Sequence, residues 1–167
     1  EDGPFRMLVT TLESDPYLGR VLTGRILAGR IDANMTAKAL NRDGGMVEQT
    51  RVTKVQAFRG LDRLPVDSAE AGDIISIAGF SAATVADTLC DLSVTEALPA
   101  EPIDPPTLAM IFSINDSPLT GRDGDKVTSR VILSRLQAEA EGNVALRIRE
   151  VEDGNGYEVA GRGELQL

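Results

Sequence analysis

The stretch Asp73-Ile74-Ile75-Ser76-Ile77-Ala78-Gly79-Phe80 decides the fold of the first half of the chain. It is a continuous apolar run of strand length, which is typical of a fully buried strand. Alternating apolar and polar residues predict further strands at 5–12, 20–27 and 47–58, with Gly24 at a bend in the second of them. Six or seven short strands at this spacing, without helical periodicity, predict an all-β closed barrel rather than an open sheet.

A proline-rich segment marks the end of this predicted barrel. Residues 97–106 hold four of the chain's 8 prolines, and such a segment forms a stiff, extended connection. The sequence therefore predicts three parts: a barrel domain at 1–96, a linker at 97–106 and a second domain at 107–167.

The second half has a different pattern. The predicted elements are a strand at 107–114, a polar loop at 115–125, a helix at 126–141, a strand at 144–151, a turn at 153–156 and a strand at 157–161. Four apolar residues share one face of the helix, namely Ile132, Leu133, Leu136 and Ala140. Asp125 or Thr128 can cap its start, and Gly142-Asn143 ends it. The order β-α-β-β is that of a truncated α+β ferredoxin-like domain.

The last seven residues, Gly161 to Leu167, predict that the natural chain continues. Gly163-Glu164 followed by spaced leucines has the pattern of a helix start, and an isolated helix needs roughly 12 residues to persist. A ferredoxin-like unit without its second helix and fourth strand leaves the edge of its first strand and part of its apolar face exposed. We therefore expect the second domain to be mobile or covered by a neighbouring copy.

The composition excludes several kinds of chemistry. The chain has no histidine and a single cysteine, Cys90, so histidine acid–base catalysis, an internal disulfide and a cysteine metal cluster are all impossible within it. The formal net charge of −9 argues against sequence-independent binding to nucleic acid or to anionic membranes. No apolar run approaches the roughly 20 residues of a membrane span.

The residues that could form a catalytic, nucleotide-binding or metal site do not have the pattern that such a site requires. Gly121 to Thr128 contains a glycine and a lysine, but not in the order that a phosphate-binding loop requires. Asn115, Asp123 and Asp125 share an acidic loop that lacks the alternate ligands of a calcium site. Cys90 lies between Leu89 and Asp91, where a core thiol is expected rather than a nucleophile, and Ser129 has no base beside it. The sequence predicts no enzyme activity, metal or cofactor for this chain.

Two motifs in the barrel resemble those of translational GTPases. They are Ala71-Gly72-Asp73-Ile74-Ile75-Ser76-Ile77-Ala78-Gly79-Phe80 and Ala86-Asp87-Thr88-Leu89. The barrel, the linker and the ferredoxin-like unit also follow each other in the order of the second and third domains of these proteins. Ala86 stands where the family usually has glycine, which predicts a turn without a positive φ.

Motifs in the second half narrow the resemblance to the TypA/BipA branch. They are Asn115-Asp116-Ser117-Pro118-Leu119-Thr120-Gly121, Val127-Thr128-Ser129-Arg130, Arg135-Leu136, Asn143-Val144-Ala145-Leu146-Arg147 and Gly161-Arg162-Gly163-Glu164-Leu165. The resemblance covers nearly the whole chain. Gln166 departs from it, since the family usually has histidine there. The alternative within the translational GTPases is that the chain is the corresponding region of an elongation factor G or LepA protein.

The resemblance implies a cytoplasmic bacterial parent with roles in stress adaptation and large-subunit assembly. GTP and Mg²⁺ would bind in a domain that this chain lacks. The barrel would pack on that GTPase domain and touch ribosomal RNA, which makes this chain a non-catalytic docking and relay fragment. The candidate phosphate contacts are Arg20, Arg25, Arg30 and Arg59 in the barrel and Arg122, Lys126 and Arg130 in the loop–helix region.

Each of these cations can also be an ordinary solvated side chain. A different class of protein also fits the architecture: a self-contained enzyme or small-molecule-binding protein built from a barrel and a ferredoxin-like domain. That class requires a binding site, and the sequence offers none.

Overall fold

The computed structural model describes residues 2–122, 124, 128–152, 154 and 156–167. The chain divides into two compact units, Glu1–Pro102 and Ile103–Leu167. Unit 1 is built of strands alone, and unit 2 combines three strands with one helix in its described part. Within the described residues, no helix is long and apolar enough to span a membrane.

Unit 1 is the predicted all-β barrel, and this prediction is confirmed. Its strands are β1 (Arg6–Asp15), β2 (Gly19–Ala28), β3 (Arg30–Asp32), β4 (Thr36–Leu40), β5 (Met46–Arg51), β6 (Lys54–Arg59), β7 (Asp62–Pro65), β8 (Ser68–Glu70), β9 (Ile74–Ala78) and β10 (Thr88–Cys90). Eight strands form one antiparallel sheet in the order β5-β4-β10-β1-β2-β9-β6-β7, and β3 pairs with β8. The sheet encloses a mainly aliphatic core that includes Met7, Leu22, Ile26, Ile75 and Ile77.

A second, smaller cluster lies outside the barrel wall. Leu40, Cys90 and Val94 are buried together, because the chain that follows β10 runs back over β4 and β10. The Leu98 N–H donates to Thr88 Oγ1 at 2.8 Å and holds this covering segment in place. Burial raises the pKa of the Cys90 thiol, which favours its uncharged form.

Two predictions about the barrel strands are wrong in detail. The run at 73–80 is not fully buried, since Ile74 points outward and is 55% exposed while Ile75 to Ala78 are buried. The predicted strand at 47–58 is two strands, β5 and β6, which separate at Val52 and Thr53. Val52 pairs with Met35, whereas the Thr53 N–H donates to Ala78 O of β9, so the chain changes partners between these residues.

The prediction for Ala86 is also wrong. Ala86 has a φ of 72°, in the left-handed region that favours glycine. The turn is held there by neighbouring contacts: the Ala86 N–H donates to Val9 O, the Val9 N–H donates to Asp87 O, and Asp87 Oδ2 accepts from the Thr84 N–H at 2.8 Å. These bonds impose the conformation although it carries a steric cost for alanine.

Replacing Ala86 with glycine is therefore expected to stabilise unit 1 by about 0.5–1 kcal/mol, because relief of the left-handed strain exceeds the added entropy of unfolded glycine. The free energy of unfolding from a urea titration measures this. Ala82→Gly is the matched control in the same loop, and it should destabilise because Ala82 has no positive φ to relieve. Equal losses in both variants would contradict strain at Ala86.

The same loop is bound by Glu48 of β5. Glu48 Oε1 accepts from the Ala82 and Ala83 N–H groups, each at 2.6 Å, and Oε2 accepts from the N–H and hydroxyl of Ser81 at 3.1 and 3.0 Å. Burial by itself would raise the pKa of Glu48, but these hydrogen bonds outweigh it and hold the pKa below the ordinary value of 4.5. One carboxylate therefore satisfies three consecutive backbone donors.

Unit 2 has the α+β order that was predicted. Its elements are β11 (Leu108–Ser113), α1 (Ser129–Gly142), β12 (Arg147–Glu150) and β13 (Gly156–Gly161). The sheet is antiparallel with β13 in the centre, in the order β11-β13-β12. The helix ends at Gly142 as predicted, and Thr128 is its N-cap residue without a capping side-chain bond. Asp125, the other predicted cap, lies outside the described residues.

Unit 2 leaves apolar surface exposed, as expected. Along β11, Met110 is 47% and Ile111 is 66% exposed, and no strand among the described residues pairs with the outer edge of β11. The apolar stripe of α1 is only half-buried, and no residue of α1 is fully buried. The principal buried side chains of this unit are Tyr157 and Val159 on β13 and Ala145 and Leu146 before β12.

The predicted helix start after Gly161 is a turn in the structure, at residues 164–166. Gln166 closes it: its Oε1 accepts from the Arg162 N–H at 2.7 Å, and its Nε2 donates to Asn143 Oδ1 at 3.0 Å. Gln166 thus ties this turn to the residue that caps the end of α1. Glutamine fits this position, where the family usually has histidine, because its side-chain amide accepts one hydrogen bond and donates another.

Candidate functional site

The described residues contain no group of three or more His, Cys, Asp or Glu side chains placed to hold a metal ion. Asp123 and Asp125 of the acidic loop lie outside the described residues, as does most of the lysine-containing part of the 121–128 string. The predicted phosphate contacts, which are six arginines and one lysine, are the remaining candidate site residues.

Arg20 is an internal structural residue rather than a surface cation. It is half-buried, and its Nη2 donates to Ala83 O at 2.7 Å. Its Nε is buried and has no hydrogen-bond partner among the described residues. Arg20 thus supports the loop that Glu48 also binds, and its guanidinium is poorly placed to reach an external phosphate.

Arg30 and Arg59 are exposed, but they differ in their partners. Arg30 forms an ion pair with Asp32 at 2.9 Å, with both side chains more than half exposed, so it contributes little net positive charge. Arg59 ends β6, and its one side-chain hydrogen bond to a described residue goes to the carbonyl of the adjacent Phe58, at 3.3 Å. Of these two, Arg59 keeps its charge available to a partner.

Arg25 stands in apolar surroundings on the outside of the barrel. In the sheet register it is opposite Ile74 of β9 on one side and Leu8 of β1 on the other. Leu27, two residues farther along β2, is 42% exposed and shares its face. Leu8, Arg25, Leu27 and Ile74 form a surface that we call the outer patch. Arg6, two residues before Leu8 on β1, lies on the same face, so two cations adjoin these aliphatic side chains. Exposed aliphatic surface of this kind suits a protein partner better than a bare phosphate.

The cations of unit 2 form a separate set. Arg122 is exposed in a turn, where its N–H donates to Leu119 O. Arg130 is exposed in the first turn of α1 and lines a groove of about 800 Å³ with Phe112, Ile132 and Leu136. Lys126 lies outside the described residues. The candidate cations among the described residues are thus divided between the two units.

An ion pair also joins two strands of the barrel wall that are not neighbours in the sheet. Arg63 of β7 forms a two-pronged bridge with Glu13 of β1, at 2.5 and 2.7 Å, and its guanidinium lies 5.1 Å from the centre of the Phe58 ring. Since β1 and β7 are separated by three strands in the sheet order, this bridge shows that the sheet curls strongly here. The hydrogen bond from Arg63 is the main reason that the pKa of Glu13 lies below its usual value.

Tyr17 was not predicted as a candidate site residue. It lies in the turn between β1 and β2 and is 96% exposed. The sequence does indicate that Tyr17 is exposed. An aromatic residue directly after Asp15-Pro16 is expected in a turn, away from the core. The exposed tip of the β6–β7 hairpin, Leu61, was missed in the same way.

Comparison with known proteins places this architecture among translation factors. Residues 19–90 match the family model of elongation factor Tu domain 2. The chain is 43% identical over 166 residues to the large ribosomal subunit assembly factor BipA of Escherichia coli K12, 44% over 164 residues to that of Synechocystis sp., and 42% over 166 residues to that of Haemophilus influenzae.

These alignments cover 98–99% of the chain but only 27% of each relative, so the chain spans about a quarter of their length. A crystal structure of a protein from Thermus thermophilus superposes with a TM-score of 0.70 and 21% identity, covering 99% of this chain and 23% of that one. This last likeness supports the fold.

Proposed function

Because the chain belongs to the TypA/BipA family over the region it spans, we propose that it is a non-catalytic docking and relay region of a translational GTPase. In this proposal GTP and Mg²⁺ bind in another domain of the parent, and the parent acts on ribosomes in the cytoplasm, with roles in subunit assembly and stress response. The identity of 43% over 99% of the chain to a ribosomal subunit assembly factor carries this proposal.

The two kinds of exposed surface suit two partners. The outer patch, with Ile74 and Leu27 around Arg25, has the apolar character of a surface that packs on a folded domain, and we assign it to the parent's own GTPase domain. Arg59, Arg122 and Arg130 are exposed on loops and at element ends, which suits contacts to ribosomal RNA phosphates.

The charge balance limits how strong the RNA contacts can be. A chain with a formal charge of −9 makes few favourable long-range contacts with RNA, so its affinity should be low, and the binding that its phosphate contacts provide should weaken as salt is added. Contacts to phosphates position a protein on RNA without reading its sequence. Tight, salt-insensitive binding of the chain to naked ribosomal RNA would contradict this reading.

Ribosome binding of the full-length parent tests the proposal. Arg59→Ala and the double variant Arg122→Ala/Arg130→Ala should each weaken co-sedimentation with ribosomal subunits several-fold, and each lost phosphate contact should lower the slope of log affinity against log salt by about one. Arg42→Ala is the matched control, since Arg42 is exposed in the 41–45 turn and is not a candidate contact. Equal binding by all variants, or no binding by the unaltered parent, would refute the proposal.

A further inference from the structure

The turn between β1 and β2 presents Tyr17 to solvent on a braced backbone. Asp15 Oδ1 accepts from the Tyr17 N–H at 2.7 Å and from the Leu18 N–H at 2.8 Å. Pro16 fixes its own φ, and Gly19 returns the chain to β2 with a φ of 72°. A ring that is 96% exposed on such a turn contributes little to the fold, and little entropy is lost when a partner covers it.

The sheet register places a cation near this turn: Lys54 of β6 is opposite Ala78 of β9, which is itself opposite Val21 of β2, two residues after Gly19. Hydrogen bonds from the Leu18 and Tyr17 N–H groups lower the pKa of Asp15, and the nearby positive charges of Lys54 and Arg63 add to this effect. The charge of Arg63 is already matched by Glu13. Lys54, at the start of β6, forms no ion pair with any described residue. The turn therefore combines a bare aromatic face with an adjacent ammonium group.

We propose that Tyr17 stacks on an unpaired base of RNA while Lys54 contacts a neighbouring phosphate, an inference that rests on the proposed function. Stacking needs only the face of the ring, and single-stranded nucleic acid is commonly bound by an aromatic residue next to a cation. An aromatic residue that anchors a protein–protein interface instead lies within a patch that excludes water. The other residues of this turn are Asp15, Pro16, Leu18 and Gly19, and the leucine among them is half-buried beside a carboxylate, so they form no broad apolar patch.

Tyrosine fluorescence tests this directly, because the chain has no tryptophan and only 2 tyrosines. Tyr157 is 8% exposed and its hydroxyl bonds to Ser129, so Tyr157→Phe leaves Tyr17 as the only emitter. This variant is titrated at low salt with single-stranded oligoadenylate that carries a fluorescein label. Quenching of Tyr17 reports stacking, and anisotropy of the label reports total binding.

Stacking predicts quenching of Tyr17, a loss of affinity of about tenfold in Tyr17→Ala, and near-normal affinity in Tyr17→Phe, which keeps the ring. Lys54→Gln should weaken binding and lower its salt dependence. Leu61→Ala is the matched control, since Leu61 is 100% exposed on a different hairpin tip and should change nothing. Unchanged melting temperatures in Tyr17→Ala and Leu61→Ala would show that both variants are folded.

Other outcomes overturn the inference and separate it from the proposed function. Binding of oligoadenylate without quenching, equally strong in Tyr17→Ala, refutes stacking but leaves the docking role of the arginines intact. Loss of binding to intact ribosomal subunits in the Tyr17→Ala parent, with no quenching by RNA, assigns the ring to a protein pocket and also refutes stacking. Absence of binding to both RNA and subunits refutes the proposed function along with it.

Discussion

Replacing Gly24 with alanine is expected to destabilise the barrel by about 3 kcal/mol or more. A Cβ on Gly24 would lie 2.1 Å from Leu8 O and 3.2 Å from Met7 Cγ. Leu8 belongs to β1, the strand that pairs with both β2 and β10, so its carbonyl cannot withdraw without breaking the sheet. The strands approach this closely because the register shifts between Val9 and Thr11, opposite Gly24, at a β-bulge.

The measurement for Gly24→Ala is the midpoint and free energy of urea unfolding, followed by circular dichroism of the barrel. Gly60→Ala is the matched control, because Gly60 has a φ of 66° but its added Cβ would meet nothing within 4 Å. That control reports backbone strain alone and should cost about 1 kcal/mol. If the two variants lose the same stability, close approach at Gly24 is not the cause.

Replacing Glu48 with glutamine is expected to cost about 1–2 kcal/mol at pH 7, because hydrogen bonds to a charged acceptor are stronger than neutral ones. Each carboxylate oxygen of Glu48 accepts two donors from the 81–83 segment. Glutamine keeps the shape but turns one of its two ends towards these donors as an NH₂ group, which cannot accept. The loop that follows β9 then loses part of its support.

The cost of Glu48→Gln should depend on pH in a defined direction. The pKa of Glu48 is lower in the folded chain than its ordinary 4.5, so its stabilising contribution is complete above pH 4.5 and is lost as the pH falls through the lower folded value. The difference in unfolding free energy between the two proteins should therefore be largest near pH 7 and shrink in acid. Asp87, whose pKa is raised mainly by burial and also by the charge of Glu48, is present in both proteins, but Glu48→Gln removes the second cause, which offsets part of the loss at pH 7.

Glu101→Gln provides the comparison for this measurement, since Glu101 is exposed and no hydrogen bond of its side chain is found among the described residues. It should leave the unfolding free energy unchanged at every pH. A difference for Glu48→Gln that stays constant from pH 7 to pH 3 would show that the carboxylate charge is not what binds the loop.

The periodicity of the chain predicted the barrel and the β-α-β-β order because both depend on local patterns. Alternation over 20–27 and the apolar run at 73–80 reflect which side of a strand meets the core. The pairing of these strands depends on contacts distant in sequence. For that reason the short strands β3, β4, β7, β8 and β10 were not predicted, and the outward position of Ile74 was missed.

Ala86 shows a further limit of local reasoning. The absence of glycine suggested a turn with negative φ, but contacts to Val9 and Asp87 impose the left-handed conformation. Tertiary hydrogen bonds thus override the intrinsic preference of the residue.

The candidate surface was predictable in composition but not in arrangement. Exposed arginines such as Arg59 and Arg130 can be expected from their positions at element ends. By contrast, no local pattern indicates that Arg20 donates to Ala83, 63 residues away, or that Arg30 is paired with Asp32. Which cations are committed to internal partners depends on the folded geometry.

The covering segment after β10 shows that the folded barrel and the family match at 19–90 have different ends. Similarity to elongation factor Tu domain 2 spans residues 19–90 and begins after β1. Yet β1 lies between β10 and β2 in the sheet, and residues 94–98 shield Leu40 and Cys90 from water. A polypeptide cut to the limits of similarity would lose a central strand and one side of its outer cluster. The unit that folds is therefore longer at both ends than the segment that matches elongation factor Tu domain 2.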